Sequence, residues 1–158
     1  MKFDSVGLQK NQTPHKYPMQ TSARLFAVQA LFQMEATGST LPQTIREFEA
    51  HRIGTVVNGE KYSEADRKLF TEILNCAVKN QGEIDKTTNK VLKDTWPLGR
   101  IDPTLRALFR AASSELLIRK TPKKVVINEF VEIAKAFFSI SKEAKLTNAV
   151  LDKLSQSF

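Results

Sequence analysis

The residue types that perform most protein chemistry are sparse in this chain, and their spacing sets up no catalytic or metal site. The two histidines, His15 and His51, and the one cysteine, Cys76, are too dispersed to hold a metal ion. The six glycines are scattered, which excludes a glycine-rich phosphate loop, and no serine is paired with a nearby histidine. We therefore expect a binding protein that is not an enzyme and needs no cofactor.

Cys76 is interpreted as a small apolar side chain that fills space on a helix. A single cysteine forms no internal disulfide, which suits a reducing compartment.

Three glutamates come closest to an acid–base arrangement, but each has a simpler interpretation. Glu129 and Glu132 share a helical face with Asn128 and Lys135, so we interpret that face as an ordinary polar stripe. Glu115 lies at the margin of an apolar helix face, where a half-buried charge needs a partner. We predict a structural ion pair for Glu115.

The chain is basic, with a formal net charge of +7, which favours a polyanionic partner. Residues 99–124 hold seven Lys and Arg against two Asp and Glu, so most of the excess lies in one segment. This segment is either a solvated face or a patch that neutralises phosphates, and its charge does not distinguish RNA, DNA and an acidic protein. Apolar runs long enough for a membrane span or a signal peptide are absent, so we expect a cytoplasmic protein without a membrane partner.

Hydrophobic periodicity and capping residues predict an all-α fold of about seven helices with no convincing strand. Residues 1–20 are polar and without a period, so we expect a disordered leader ahead of a helical domain at 21–158. Thr21 or Ser22 is the predicted N-cap of the first helix, and Gly38 its end.

Cap and turn residues also divide the middle of the chain. The predicted boundaries there are a helix start at Thr40, a loop at 53–62, a helix start at Ser63 or Asp66, and a break at Gly82 before a shorter helix at 83–92.

The C-terminal part begins with a strong signal, because Asp102 supplies a capping carboxylate and Pro103 follows it. The helix after Pro122 has the widest apolar arc, so we expect it to be the central helix. The remaining predictions are a last helix capped by Ser141 and a boundary at 94–101 between sub-bundles at 21–93 and 102–155.

Four ordered motifs resemble the family of the transcription antitermination factor NusB. They are Ala-Val-Gln-Ala-Leu at 27–31, Trp-Pro-Leu-Gly-Arg-Ile-Asp at 96–102, Val-Ile-Asn-Glu-Phe-Val-Glu-Ile-Ala-Lys at 126–135 and Asn-Ala-Val-Leu-Asp at 148–152. The resemblance extends over nearly all of residues 21–155. It implies an all-helical fold of two three-helix-bundle subdomains and no cofactor. It also implies a heterodimer with the ribosomal protein NusE that binds boxA RNA in the RNA polymerase antitermination complex and supports ribosomal RNA transcription.

The resemblance also assigns candidate site residues. In the first helix and in the region around the last motif, the RNA-binding candidates are Ser22, Arg24, Gln29, Lys145, Leu146 and Asn148. Phe32 and Arg106 are the candidates for binding the protein partner. The chain departs from the family pattern at Leu146, where an aromatic residue is common, and Arg24 is its only arginine before residue 46. An aromatic side chain would stack on an unpaired base, and leucine does not.

Two alternatives stay open at this point. One is an enzyme module, since some RNA cytosine methyltransferases carry a NusB-like domain, although no cofactor-binding sequence is present here. The other is a homodimeric scaffold without RNA.

Overall fold

A computed structural model of the protein describes residues 18–57, 59–61, 64–92, 98–139 and 142–158. Within these ranges the chain forms seven α-helices and one minimal hairpin, which confirms the all-α prediction. The elements in chain order are α1 (Met19–Thr37), α2 (Leu41–His51), β1 (Val56–Val57), β2 (Glu60–Lys61), α3 (Arg67–Lys79), α4 (Gln81–Leu92), a 3-10 turn (Leu98–Arg100), α5 (Pro103–Ile118), α6 (Lys123–Phe138) and α7 (Lys142–Ser157). The predictions for residues 1–17, Ser63, 94–97 and Ser141 lie outside the described residues.

Several helix ends lie where local side chains predict them. Gly38 ends α1 with a φ of 73°, a left-handed conformation that glycine adopts without strain. Three side chains accept a backbone N–H in the first turn of their helix, Thr40 from Gln43, Asp66 from Leu69 and Asp102 from Thr104. Thr40 and Gln43 complete a reciprocal capping box.

The start of α1 differs from its prediction. The helix begins at Met19 with Pro18 as N-cap, so Thr21 and Ser22 lie inside the first turns and the predicted leader loses its last residues to the helix. The Thr21 hydroxyl instead donates to Glu129, 108 residues further along the chain. The Thr21 hydroxyl therefore binds a carboxylate of α6, whereas the sequence offers it as a cap of its own helix.

Two predictions in the middle of the chain are also corrected. Gly82 lies inside α4. Helix α3 ends at Lys79 with Asn80 as its C-cap, and the side-chain amide of Asn80 donates to the Cys76 carbonyl. The predicted loop at 53–62 contains the hairpin β1–β2, in which Val56 pairs with Lys61. Gly59, with a φ of 79°, provides the left-handed residue of its turn.

The central helices are α1 and α5, and the prediction of a central α6 is wrong. Residues 22–31 of α1 are all buried, and α5 packs against α1, α3, α4, α6 and α7. Helix α6 has a wide apolar arc, but four residues of that arc, Ile127, Val131, Phe137 and Phe138, are only partly buried. The width of the arc reflects the apolar area of a helix and not the number of its neighbours.

One hydrophobic cluster extends through all parts of the helical region, so the sub-bundles at 21–93 and 102–155 stay a prediction.

Candidate nucleic-acid interface

A buried cluster of charges lies under the first turns of α1. The Arg24 side chain donates from Nε to Glu115 Oε1 at 2.7 Å and from Nη2 to Glu115 Oε2 at 2.8 Å. Its Nη1 lies 3.2 Å from Glu129 Oε1, and Thr21 donates to the same carboxylate. We call Thr21, Arg24, Glu115 and Glu129 the buried cluster. It joins α1, α5 and α6, and the structural ion pair predicted for Glu115 is confirmed.

Arg24 is a buried charge that is paired with two carboxylates of the same chain. Burial alone would lower the pKa of Arg24, but the hydrogen bond and charge of Glu115, together with Glu129, raise that pKa above its ordinary value. Arg24 is 4% exposed and Glu115 is 1% exposed. The guanidinium therefore faces carboxylates of its own chain, and this placement does not support the predicted phosphate contact.

The other two RNA-binding candidates of α1 are also internal. Ser22 and Gln29 are buried, because α1 is enclosed on several sides along residues 22–31. The Ser22 hydroxyl has no hydrogen-bond partner among the described residues. Neither side chain is presented to a ligand in this conformation.

The candidates in the last helix lie at an open groove between α6 and α7. This α6–α7 groove has a volume of about 690 Å³. Its lining residues are Asn128, Val131, Glu132, Lys135, Ser139, Ala144, Lys145 and Asn148. Lys145 and Asn148 are exposed, whereas Leu146 is partly buried and packs against the core. The structure thus brings Lys145 and Asn148 together and turns Leu146 toward the interior.

The α6 side of this groove is not among the predicted site residues. Asn128 and Lys135 lie two turns apart on the stripe that the sequence presents as an ordinary polar face, and Lys135 Nζ donates to Glu132 Oε1 at 3.1 Å. The sequence indicates the polar stripe of α6. The groove is recognised only from the structure, in which α7 packs beside that stripe.

Ser139, at the end of α6 in the same groove, has a strained backbone. Its φ of 55° and ψ of −146° lie in a region that residues other than glycine rarely adopt. Such strain is commonly found at functional sites, where surrounding structure maintains it.

A second groove lies between α1, α4 and α5 and contains Arg106. This Arg106 groove has a volume of about 510 Å³, and its charged lining residues are Glu35, Asp85, Arg106 and Arg110. Both arginines donate to Glu35, and Arg110 also donates to both oxygens of Asp85. The hydrogen bond from Arg106 is the main cause that lowers the pKa of Glu35 below its ordinary value. Phe32, the other partner candidate, is partly buried one turn before Glu35 and packs against the core.

The basic segment 99–124 does not form one continuous positive patch. Glu35 and Asp85 neutralise Arg106 and Arg110, and Glu72 lies 3.0 Å from Lys120. Lys123 donates to the Ser155 carbonyl at the end of α7. Carboxylates from outside the segment thus cancel charge that the sequence places within it.

The described part of the chain contains no cluster of side chains that could hold a metal ion, and none of its helices is long and apolar enough to cross a membrane. Its polar features include the two open grooves, the buried cluster and a smaller open cavity of about 220 Å³ that Arg24 lines together with Lys68 and Lys120. They define an all-helical protein whose surface is suited to binding.

Comparison with known proteins identifies the family. The model of the NusB family matches residues 21–156. A transcription antitermination protein NusB of Sinorhizobium fredii is 45% identical over 150 residues, covering 91% of this chain and 93% of the relative. One from Mesorhizobium japonicum is 47% identical over 136 residues, covering 85% and 87%. The chain belongs to the NusB family, a family of transcription antitermination factors and not of enzymes.

Solved structures agree with this fold. T. maritima NusB has a TM-score of 0.71 at 28% identity and covers 89% of this chain, with 92% of its own length matched. A chain from the crystal structure of antitermination factors NusB and NusE in complex with dsRNA has a TM-score of 0.69 at 21% identity, covering 87% and 96%. The second likeness shows the shared fold alone.

Proposed function

We propose that this protein is an RNA-binding transcription antitermination factor that pairs with NusE, binds boxA RNA and supports ribosomal RNA transcription. It would act in the cytoplasm as part of the RNA polymerase antitermination complex. Relatives of 45–47% identity matched over most of their length are transcription antitermination proteins, which favours this function over an RNA methyltransferase module. A fold neighbour solved with NusE and RNA supports the choice of partners.

The observation that carries the RNA proposal is the α6–α7 groove. Lys145 supplies a mobile positive charge for phosphate, while the Asn128 and Asn148 amides can each donate to and accept from a base edge. Val131 and Ala144 add apolar surface that suits the face of an unpaired base. With Leu146 packed against the core, this groove lacks an aromatic platform at that position, so we assign affinity to charge and amide contacts.

The roles of the α1 residues follow from burial. Arg24 holds α1 against α5 and α6 through Glu115 and Glu129, and in doing so fixes the position of α6 on one side of the groove. Ser22 and Gln29 belong to the same internal surface. We assign the protein partner to the Arg106 groove, which adjoins the helix that carries Phe32.

The experiment is a titration of fluorescent boxA RNA and of a scrambled RNA of equal length, each with and without NusE, at several salt concentrations. We expect boxA to bind more tightly than the scrambled RNA, and NusE to increase the difference. Equal affinity for both RNAs under all conditions would contradict sequence-specific recognition.

Sedimentation with and without NusE tests the pairing, because a homodimer that persists in the presence of NusE contradicts a heterodimer.

A further inference from the structure

The charged side chains of the Arg106 groove form a continuous chain of ion pairs, Arg106–Glu35–Arg110–Asp85. Arg106 Nε donates to Glu35 Oε2 at 2.9 Å, and Arg110 Nη1 donates to the same oxygen at 2.7 Å. Glu35, near the C-terminal end of α1, therefore bridges two arginines of α5.

The four side chains differ in their exposure and in the number of other partners that they bind. Arg110 donates twice to Asp85, at 2.9 and 2.8 Å, and Arg106 also donates to the carbonyls of Leu98 and Ile101. The arginine side chains are 14% and 12% exposed, whereas the Glu35 side chain is 31% exposed. Both guanidinium groups thus keep other partners if Glu35 moves away, and Glu35 is the outer, replaceable member.

Apolar side chains surround the two arginines. Leu31, Met34 and Leu98 line the groove, and Val78 at its edge is 42% exposed. This lining favours a protein segment over RNA, because a phosphate backbone would find no lysine in the groove and would lie against its apolar side chains. A segment that carries one carboxylate among apolar residues complements both the arginines and the apolar surface.

We propose that Glu35 in the free protein occupies the site on Arg106 and Arg110 that a carboxylate of NusE takes in the heterodimer. Glu35 is then an internal competitor that weakens pairing and must swing outward before the partner docks. This inference rests on the proposed pairing with NusE and adds the chemistry of the contact.

The test is a calorimetric titration of purified NusE into the wild-type chain and into Glu35→Gln, which keeps the shape of the side chain and removes its charge. We expect Glu35→Gln to bind NusE more tightly, on the order of fivefold, because a neutral amide competes poorly for a guanidinium. Glu49→Gln, on α2 outside the groove, removes the same charge and is expected to change affinity by less than about twofold. Circular dichroism checks that each variant is folded, and Glu35→Ala repeats the measurement with a shorter side chain.

The double variant separates local competition from overall charge. In an Arg106→Gln background, Glu35→Gln should lose most of its effect, since part of the contested site is gone. An unchanged or weaker affinity of Glu35→Gln, or an equal gain in the Arg106→Gln background, overturns the inference while the pairing itself stands. No binding by the wild type or any variant overturns the pairing, and the inference with it. A gain for boxA RNA in the absence of NusE that depends on Arg106 would assign the site to phosphate and also overturn it.

Discussion

The buried cluster and the α6–α7 groove both place a basic residue near the N-terminal end of a helix, but they satisfy its charge differently. Arg24 is enclosed by two carboxylates of its own chain. Lys145 is exposed beside an open groove. A positive charge is available to a ligand only where the fold leaves it without an internal carboxylate. The first region therefore supports the architecture, and the second supports recognition.

The largest expected effect concerns the buried cluster. Replacing Arg24→Met leaves Glu115 buried without its main partner, which should lower the free energy of unfolding by about 3–5 kcal/mol. Urea denaturation measures this loss. The double variant Arg24→Met/Glu115→Met should recover much of it, because no buried charge remains. A fully stable Arg24→Met variant whose RNA affinity loses salt dependence would instead make Arg24 a phosphate contact.

The next effect concerns the groove. Lys145→Ala should weaken boxA binding about three- to tenfold and reduce the salt dependence by roughly one contact, since one phosphate interaction is lost. Stability should change by less than about 0.5 kcal/mol, because the side chain is exposed. Lys153→Ala, also exposed on α7 but outside the groove lining, is the matched control. Equal loss in both variants would indicate general charge attraction and no specific groove contact.

A substitution at Ser139 tests whether the strained backbone there contributes to the shape of the groove. Ser139→Gly should stabilise the protein by about 1 kcal/mol, because glycine adopts this backbone conformation without a steric penalty. Thermal unfolding measures the gain, and Ala136→Gly in the exposed interior of α6 should instead destabilise by a similar amount. If RNA affinity falls while stability rises, the strain contributes to the shape of the groove; a loss of stability in Ser139→Gly contradicts the strain.

The smallest expected effect is an acid dependence at Glu35. Because the folded-state pKa of Glu35 is lowered, its ion pairs stabilise the protein fully above the unfolded pKa of about 4.5, and this contribution is lost as pH falls through the lower folded value. The free energies of unfolding of the wild type and Glu35→Gln should therefore differ by up to about 1 kcal/mol at pH 7 and converge as the pH falls through the lowered folded-state pKa of Glu35. A difference that stays constant across this range would show that the charge of Glu35 contributes nothing.

Short-range signals made much of the fold predictable. Thr40, Asp66 and Asp102 identify helix starts because a cap acts within one turn, and Gly38 identifies an end for the same reason. The centrality of α1 was not predictable in this way. Ser22, Arg24 and Gln29 make its sequence polar on faces that the fold nevertheless buries.

The candidate site was predictable only in part, because its decisive contacts are distant in sequence. Arg24 and Glu115 are separated by 91 residues, so a family motif suggests the arginine without indicating that a carboxylate covers it. Lys145 and Asn148 are exposed as an RNA contact requires, yet Asn128 and Lys135 join them only because α7 packs beside α6.

The position of α5 has a consequence for the order of synthesis. A ribosome releases α1–α4 before residues 103–118, yet α5 supplies the surface on which α1, α3 and α4 pack. Until that helix emerges, the faces of α1 and α3 that pack against it lack part of their cover. Before residues 103–118 are released, the nascent chain therefore exposes apolar surface that α5 covers in the folded protein, which favours aggregation or capture by a chaperone at that stage.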